Sequence, residues 1–152
     1  MSLTLRPARD ADGPGIVALV ATSYARYENS YLDPIGEEPG LMTPTQSFDR
    51  FWVLEHDSGW IVGSIALTYH ADASELKKVY LIPKFWGQGW GSKLYETAAA
   101  AFTGARVFAW SDTRFHTGHK FYRHKGFRQL PETRFLNDHS ETQEFCFEKD
   151  LV

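Results

Sequence analysis

The chain has 152 residues and a net charge of −3, and it is rich in aromatics, with five Trp, seven Tyr and eleven Phe. That length suits a single domain spanning 1–152, its mild acidity offers no footing for nucleic acid, and no apolar run approaches the ~18 residues of a membrane span. The lone Cys146 forms no internal disulfide, and the charged opening from Met1 to Asp12 lacks the apolar stretch of a secretory signal, so a reducing, cytoplasmic setting is expected.

Leu3 to Pro7 alternates and then meets proline, which predicts a short first strand. Asp10 or Asp12 then caps a predicted helix carrying Ile16, Leu19, Val20 and Tyr24. Residues 29–47 hold three prolines and two glycines, the mark of a long loop or broken helix. Phe51 to Glu55, the turn Asp57-Ser58-Gly59, and Trp60 to Tyr69 predict a hairpin. Glu75 to Ile82 reads as the next strand, with Leu76, Lys78, Tyr80 and Ile82 on one face.

A helix from Ser92 to Phe102, ended by Gly104, follows, then a strand from Arg106 to Trp110. Phe115 to Lys125 reads as a second helix ended by Gly126. Phe127 and the run Glu144 to Lys149 supply two last strands. This order argues an α/β class, a mixed sheet with helices packed on it.

Between strand and helix stands Pro83-Lys84-Phe85-Trp86-Gly87-Gln88-Gly89-Trp90-Gly91-Ser92. Alternate glycines let the backbone curl and bare successive N–H groups, and the helix that begins there adds its unpaired donors and positive dipole end. Such a loop cradles a phosphate or pyrophosphate. Gly87-x-Gly89-x-x-Ser92 imitates a dinucleotide fingerprint, with Asp112 posing as the ribose carboxylate. Four residues intervene between strand and glycines, however, and too little chain follows for a doubly wound sheet. The second motif, Phe121-Tyr122-Arg123-His124-Lys125-Gly126-Phe127, combines core positions and a helix terminator with one phenol. That phenol, on Tyr122, can protonate a leaving group of pKa roughly 8 to 9, such as a thiolate.

Val79-Tyr80-Leu81-Ile82-Pro83-x-x-Trp86-Gly87-x-Gly89-x-Gly91-x-x-Leu94, followed by Phe121-Tyr122-Arg123-x-x-Gly126-Phe127, resembles the GNAT family of N-acetyltransferases, as does the opening Leu5-Arg6-Pro7-Ala8. The resemblance implies a mostly antiparallel sheet splayed at a bulge, helices on both faces, and acetyl-CoA as co-substrate without a metal. It implies that pantetheine pairs with the backbone of Val79 and Leu81, an N–H near Leu81 polarising the thioester. It likewise implies that pyrophosphate rests on the loop Trp86, Gly87, Gln88, Gly89, Trp90, Gly91 and Ser92. Tyr122 matches the tyrosine that protonates the CoA thiolate. Glu75, six residues before the expected bulge position Leu81, matches a glutamate used as general base by some members, and is equally readable as a solvated charge. Trp86 and Phe115 depart from the family, which usually has Arg or Gln and often Asn there.

Tyr27, Glu28 and Tyr31 are the candidate acceptor contacts, in an acidic, tyrosine-bearing segment suited to a cationic amine. His116, His119 and His124 do not converge on one helix face, so no metal is expected. Cys146 sits in a strand pattern as a core residue, which favours direct transfer over an acyl-enzyme. The expected activity is acetyl transfer to a small-molecule or peptide primary amine, with no nucleic-acid or membrane partner. The resemblance also admits a homodimer, and a non-catalytic acyl-CoA-binding module is the alternative.

Overall fold

Strand β1, Leu3–Pro7, ends at its proline, as its alternation predicts. In this computed structural model, which describes residues 2–152, Asp12 does not cap the helix that follows. Its carboxylate instead accepts two 2.9 Å hydrogen bonds from the Arg6 guanidinium and one of 2.8 Å from the Arg9 N–H. Arg6 above all holds the Asp12 carboxyl below the usual carboxylate range. Asp10 accepts hydrogen bonds from Thr45 and Gln46. Helix α1, Gly13–Tyr24, begins on Pro14, whose missing N–H is no loss in a first turn.

The Pro-rich stretch runs as loop and one-turn helix, Pro39–Met42, into a four-residue helix α2, Pro44–Ser47. Strands β2, Arg50–His56, and β3, Ile61–His70, form the predicted hairpin. Then come β4, Ala73–Leu81; helix α3, Trp90–Ala99; β5, Arg106–Asp112; and helix α4, His116–His124. The chain closes with β6, Arg128–Phe135, and β7, Gln143–Asp150. Pro131 falls where the register between β6 and β7 shifts, at the sheet's edge, a place where a missing donor is tolerated.

All seven strands form one sheet in the order β1-β2-β3-β4-β5-β7-β6. Only β4 and β5 run parallel to each other. One face buries Leu54, Ile65, Leu76, Leu94, Val107 and Phe147 under α3 and α4. The opposite face buries Val53 and Ala66 against Ile16, Leu19 and Val20 of α1.

Two departures shape the molecule. Ser64 of β3 pairs with Tyr80, but Ala66 pairs with Lys77, so β4 carries one extra residue. That residue is Lys78, with φ of +53°, and the buried Ser64 hydroxyl donates to its carbonyl at 2.6 Å. The bulge therefore lies at Lys78, three residues ahead of Leu81, and it inverts the alternation. Leu76, Val79 and Leu81 face the α3 side while Tyr80 faces α1, so the single face expected for Leu76, Lys78 and Tyr80 does not exist.

The second departure is the pairing of β4 with β5, which stops at Glu75 and Phe108. Beyond it the strands part, and the sheet opens into a wedge. Gly104 has a different task from the predicted one. Helix α3 already ends at Ala99, and a Cβ on Gly104 would come within 2.4 Å of the Asp72 backbone, so glycine lets this loop lie against the β3–β4 turn.

Candidate active site

The wedge widens into a cavity of about 1110 Å³ that passes through the sheet, with Val79, Leu81, Gly87, Gly89, Ser92 and Tyr122 among its lining residues on one side and Tyr24, Tyr27, Lys78, Tyr80 and Glu144 on the other. On the first side Ile82 donates its N–H to Val62 of β3. By the two-residue alternation of a strand, Leu81 and Val79 turn their backbone groups the other way, into the wedge. A sheet edge is thus left unpaired inside a protein, able to take an added strand. The Trp86 indole N–H donates to the Leu81 carbonyl at 2.8 Å, leaving the Val79 backbone and the Leu81 N–H for a ligand.

Helix α3 starts one turn beyond that edge. Its N-cap is Gly89 at φ +87°, and Gly87 lies at φ +73°. A Cβ at either glycine would meet nothing within 4 Å, so the space above the loop is open and suits a bulky anion. Lys93 is the first residue of the helix bonded back to Gly89, which leaves the N–H groups of Trp90, Gly91 and Ser92 without intrahelical partners. Lys125, from the end of α4, brings its ammonium to the Ser92 hydroxyl at 2.7 Å and adds a cation the loop sequence does not disclose. Gln88 is exposed, donating its side-chain amide to Lys84, and Trp90 packs against the core, so both can offer only backbone to a ligand there.

Tyr122 is held by the end of its own helix. Gly126 at φ +91° lets the Phe127 N–H return to the Tyr122 carbonyl at 3.0 Å, and the two rings meet at 5.4 Å. The Tyr122 ring stacks on Phe147, and burial, reinforced by the charge of Glu144, lifts its phenol well above the usual tyrosine value. No protein group bonds its hydroxyl among the described residues, and the residue lines the cavity.

On the opposite side of the sheet, the loop after α1 turns Tyr27 inward, where Phe115 packs 4.9 Å from it and 5.6 Å from Tyr24. Tyr31 also lines the cavity. Glu28 does not: the same turn sends it to solvent. Glu38 lines the wall instead, paired with Lys78 and accepting a 3.3 Å hydrogen bond from Tyr24. Glu75 sits buried at the apex, where the strand pairing ends, with one carboxylate oxygen 2.9 Å from His70 Nε2.

Asp112, which the dinucleotide pattern would offer to a ribose, is instead held by a two-point contact from Arg114 at 2.8 and 2.9 Å. Arg114 also donates to the carbonyls of Asn29 and Ser140, tying both loops on the α1 side of the cavity to β5. His119 is buried and donates its Nε2–H to the Asp112 carbonyl at 2.8 Å, a bond that fixes α4 against the wedge. Burial pushes the Cys146 thiol up to about 11, so it stays protonated at neutral pH.

The sequence did not reveal Glu144, Arg134, Lys125 or Arg114 as part of this site. Glu144 to Lys149 alternates like any strand with one polar face, and only the sheet order shows that this face borders a cavity.

A family model described as an acetyltransferase (GNAT) domain matches residues 47–129, more than half of the chain. Among solved structures, a GNAT-family acetyltransferase from Staphylococcus aureus Mu50 is 16% identical with a TM-score of 0.80, over 99% of this chain and 100% of that one. A phosphinothricin acetyltransferase from Sinorhizobium meliloti in complex with acetyl-CoA is 17% identical, TM-score 0.71, over 99% and 89% of the two chains. The PaiA N-acetyltransferase of Thermoplasma acidophilum in complex with coenzyme A is 19% identical, TM-score 0.70, over 99% of each chain. At such identities the likeness is one of fold. No curated protein matches the sequence.

Proposed function

Because this chain belongs to the GNAT acetyltransferase family, we propose that it moves the acetyl group of acetyl-CoA onto a primary amine by direct attack in a ternary complex. The observation that carries this reading is the unpaired edge of β4 running into the bare first turn of α3. A pantetheine arm fits the Val79 and Leu81 backbone, and a pyrophosphate fits the N–H groups from Gly87 to Ser92 with Lys125 beside them. When bound there, acetyl-CoA supplies the activated acyl carbon.

The rest belongs to the chain's own groups. An N–H of the β4 edge polarises the thioester carbonyl, as preorganised donors do wherever negative charge develops. Tyr122 keeps its proton at every physiological pH and delivers it to the departing sulfur. A carboxylate on the α1 side takes the amine proton. The aromatic wall of Tyr24, Tyr27 and Phe115, with the acidic loop beyond it, suits a small amine carrying an apolar body. The phosphinothricin-acetylating neighbour is consistent with a small-molecule acceptor. A protonated Cys146 supports direct attack without an acyl-enzyme, and a single reduced cysteine suits a reducing compartment. Among the described residues no helix is long and apolar enough to cross a membrane.

The test is thiol release from acetyl-CoA over a panel of primary amines, with Tyr122→Phe as the probe. We expect kcat to fall roughly 10- to 1000-fold while acetyl-CoA affinity holds within a few-fold, since the lost proton matters only in the transition state. Unchanged turnover would remove Tyr122 from the chemistry.

A further inference from the structure

Among the carboxylates that line the cavity without a full set of partners, Glu75 and Glu144 stand on the central strands, and at different heights, while Glu37 lies out in the loop after α1. Glu75 lies at the last paired register of β4 and β5, opposite Phe108. Glu144 lies opposite Asp112, four residues further along β5, or roughly 13 Å at about 3.3 Å per residue. Across the bulge, four residues along β3 from Thr68, the partner of Glu75, bring Ser64 opposite Tyr80, so on β4 that level falls at Tyr80, between the Val79 and Leu81 backbone. Glu75 is beneath the opening; Glu144 is beside it.

We propose that Glu144 is the group that takes the proton from the acceptor amine, with Arg134 as its positioning residue. This rests on the acetyl-transfer reading above. Arg134 donates through Nε to Glu144 Oε1 at 2.6 Å, and its guanidinium lies 4.4 Å over the Trp110 ring, which fixes the pair against the sheet. Oε2 has no protein partner among the described residues. It is not sealed off either, since Ser30 Oγ is the sole fully buried side-chain polar atom without a partner among them. That oxygen is therefore free to meet an amine in the cavity.

The charged and titratable groups facing Glu144 are Arg134 from β6, Asp112 from β5, Lys78 from β4 and the neutral phenol of Tyr122 from α4. Burial, with Asp112, raises its carboxyl above the ordinary value, whereas Arg134 and Lys78 draw it down, and burial is the larger effect. A base of raised pKa is matched to work closer to neutrality. It acts only when ionised, so the rate falls as pH drops through that raised value.

The proton traffic balances. The nitrogen of the free amine forms its bond to the acetyl carbon, its proton passes to Glu144 Oε2, the C–S bond breaks, and the sulfur takes the Tyr122 proton. Glu144 then returns its proton, through water, to the Tyr122 phenolate. The two groups are coupled as well. The negative charge of Glu144 helps to hold the Tyr122 phenol high, so protonating Glu144 makes Tyr122 a better acid as the sulfur departs.

The test compares the parent with Glu144→Gln, Arg134→Met and Glu75→Gln, using benzylamine as acceptor and calorimetric acetyl-CoA binding as the control for folding and cofactor. Glu144→Gln should bind acetyl-CoA normally, lose roughly 10²- to 10⁴-fold in kcat, and lose the acidic limb of the kcat–pH profile. Arg134→Met should move that limb to higher pH, a shift that a merely structural role would not produce. Carbon-13 NMR of the Glu144 carboxyl, assigned by its absence in Glu144→Gln, should titrate above the ordinary range and higher still in Arg134→Met. Glu144→Gln turnover within threefold of the parent, or loss of the limb in Glu75→Gln alone, would overturn the proposal. If the parent binds acetyl-CoA but acetylates no amine, the functional reading itself fails. In that event the base role of Glu144 falls with it, whatever its titration; failure of this inference alone is read from a parent that turns over.

Discussion

Gly89 bears no clash that would require glycine, yet its φ of +87° belongs to a backbone region that other residues enter at about 1–2 kcal/mol. The protein accepts that conformation at the mouth of α3, where it bares N–H groups toward open space. Two substitutions separate conformation from ligand. Gly89→Ala should lower unfolding free energy by about 1 kcal/mol and weaken acetyl-CoA only modestly. Gly89→Glu should stay folded and lose at least ~100-fold in affinity, about 2.7 kcal/mol, because an anionic side chain fills the place of the phosphates. Calorimetric titration of both variants decides it, and undiminished binding by Gly89→Glu would remove the pyrophosphate from this loop. At this scale the sequence was most legible, since glycine spacing and the terminator after Tyr122 are local rules. It was least legible where a role depends on a distant partner. Glu28 and Glu38 look alike in an acidic loop, and one turn of backbone sends the first to solvent and the second to Lys78.

The wedge itself is made at the level of elements. One extra residue in β4 rotates every side chain beyond it by half a strand period, which is how Leu76 and Tyr80 reach opposite faces. Lys78 pins this bulge at an uncommon φ, and the Ser64 hydroxyl holds its carbonyl from the neighbouring strand. Ser64→Ala should therefore cost about 1–3 kcal/mol, a fall in Tm of roughly 2–12 °C for a chain of this length. Thermal unfolding by circular dichroism measures it, and a fall under 1 °C would show that the bulge stands without the bond. The existence of β4 was readable from the alternation expected over Glu75 to Ile82, but the bulge that breaks that alternation was not. A register shift is a relation between two strands, and nothing in Leu76 to Ile82 alone marks Lys78 as the residue left over.

Across the whole molecule, the parting of β4 and β5 joins two chemistries that the chain keeps far apart in sequence. The α3 side gathers bare N–H groups and a lysine, groups that suit an anion, and the α1 side gathers aromatic rings and carboxylates, groups that suit a cation. A ligand that bridges the wedge must also stabilise it. Acetyl-CoA at a hundred times its Kd should add about 2.7 kcal/mol, raising Tm by roughly 5–10 °C, with NAD producing no shift. A thermal scan with each compound tests this, and equal shifts would favour a general nucleotide site.

What the sequence by itself determined is most of the elements, the glycine loop ahead of α3, the tyrosine near the end of α4 and the family they resemble. Each rests on contacts within a dozen or so residues, where spacing and local stereochemistry decide the outcome. The tertiary structure alone decided where the sheet opens, which side of it each carboxylate borders, and that Glu144 stands level with the unpaired stretch of β4 beyond the bulge while Glu75 stands below it. Those are consequences of strand register and order between segments up to seventy residues apart, and no local pattern encodes the pairing of one strand with another so distant.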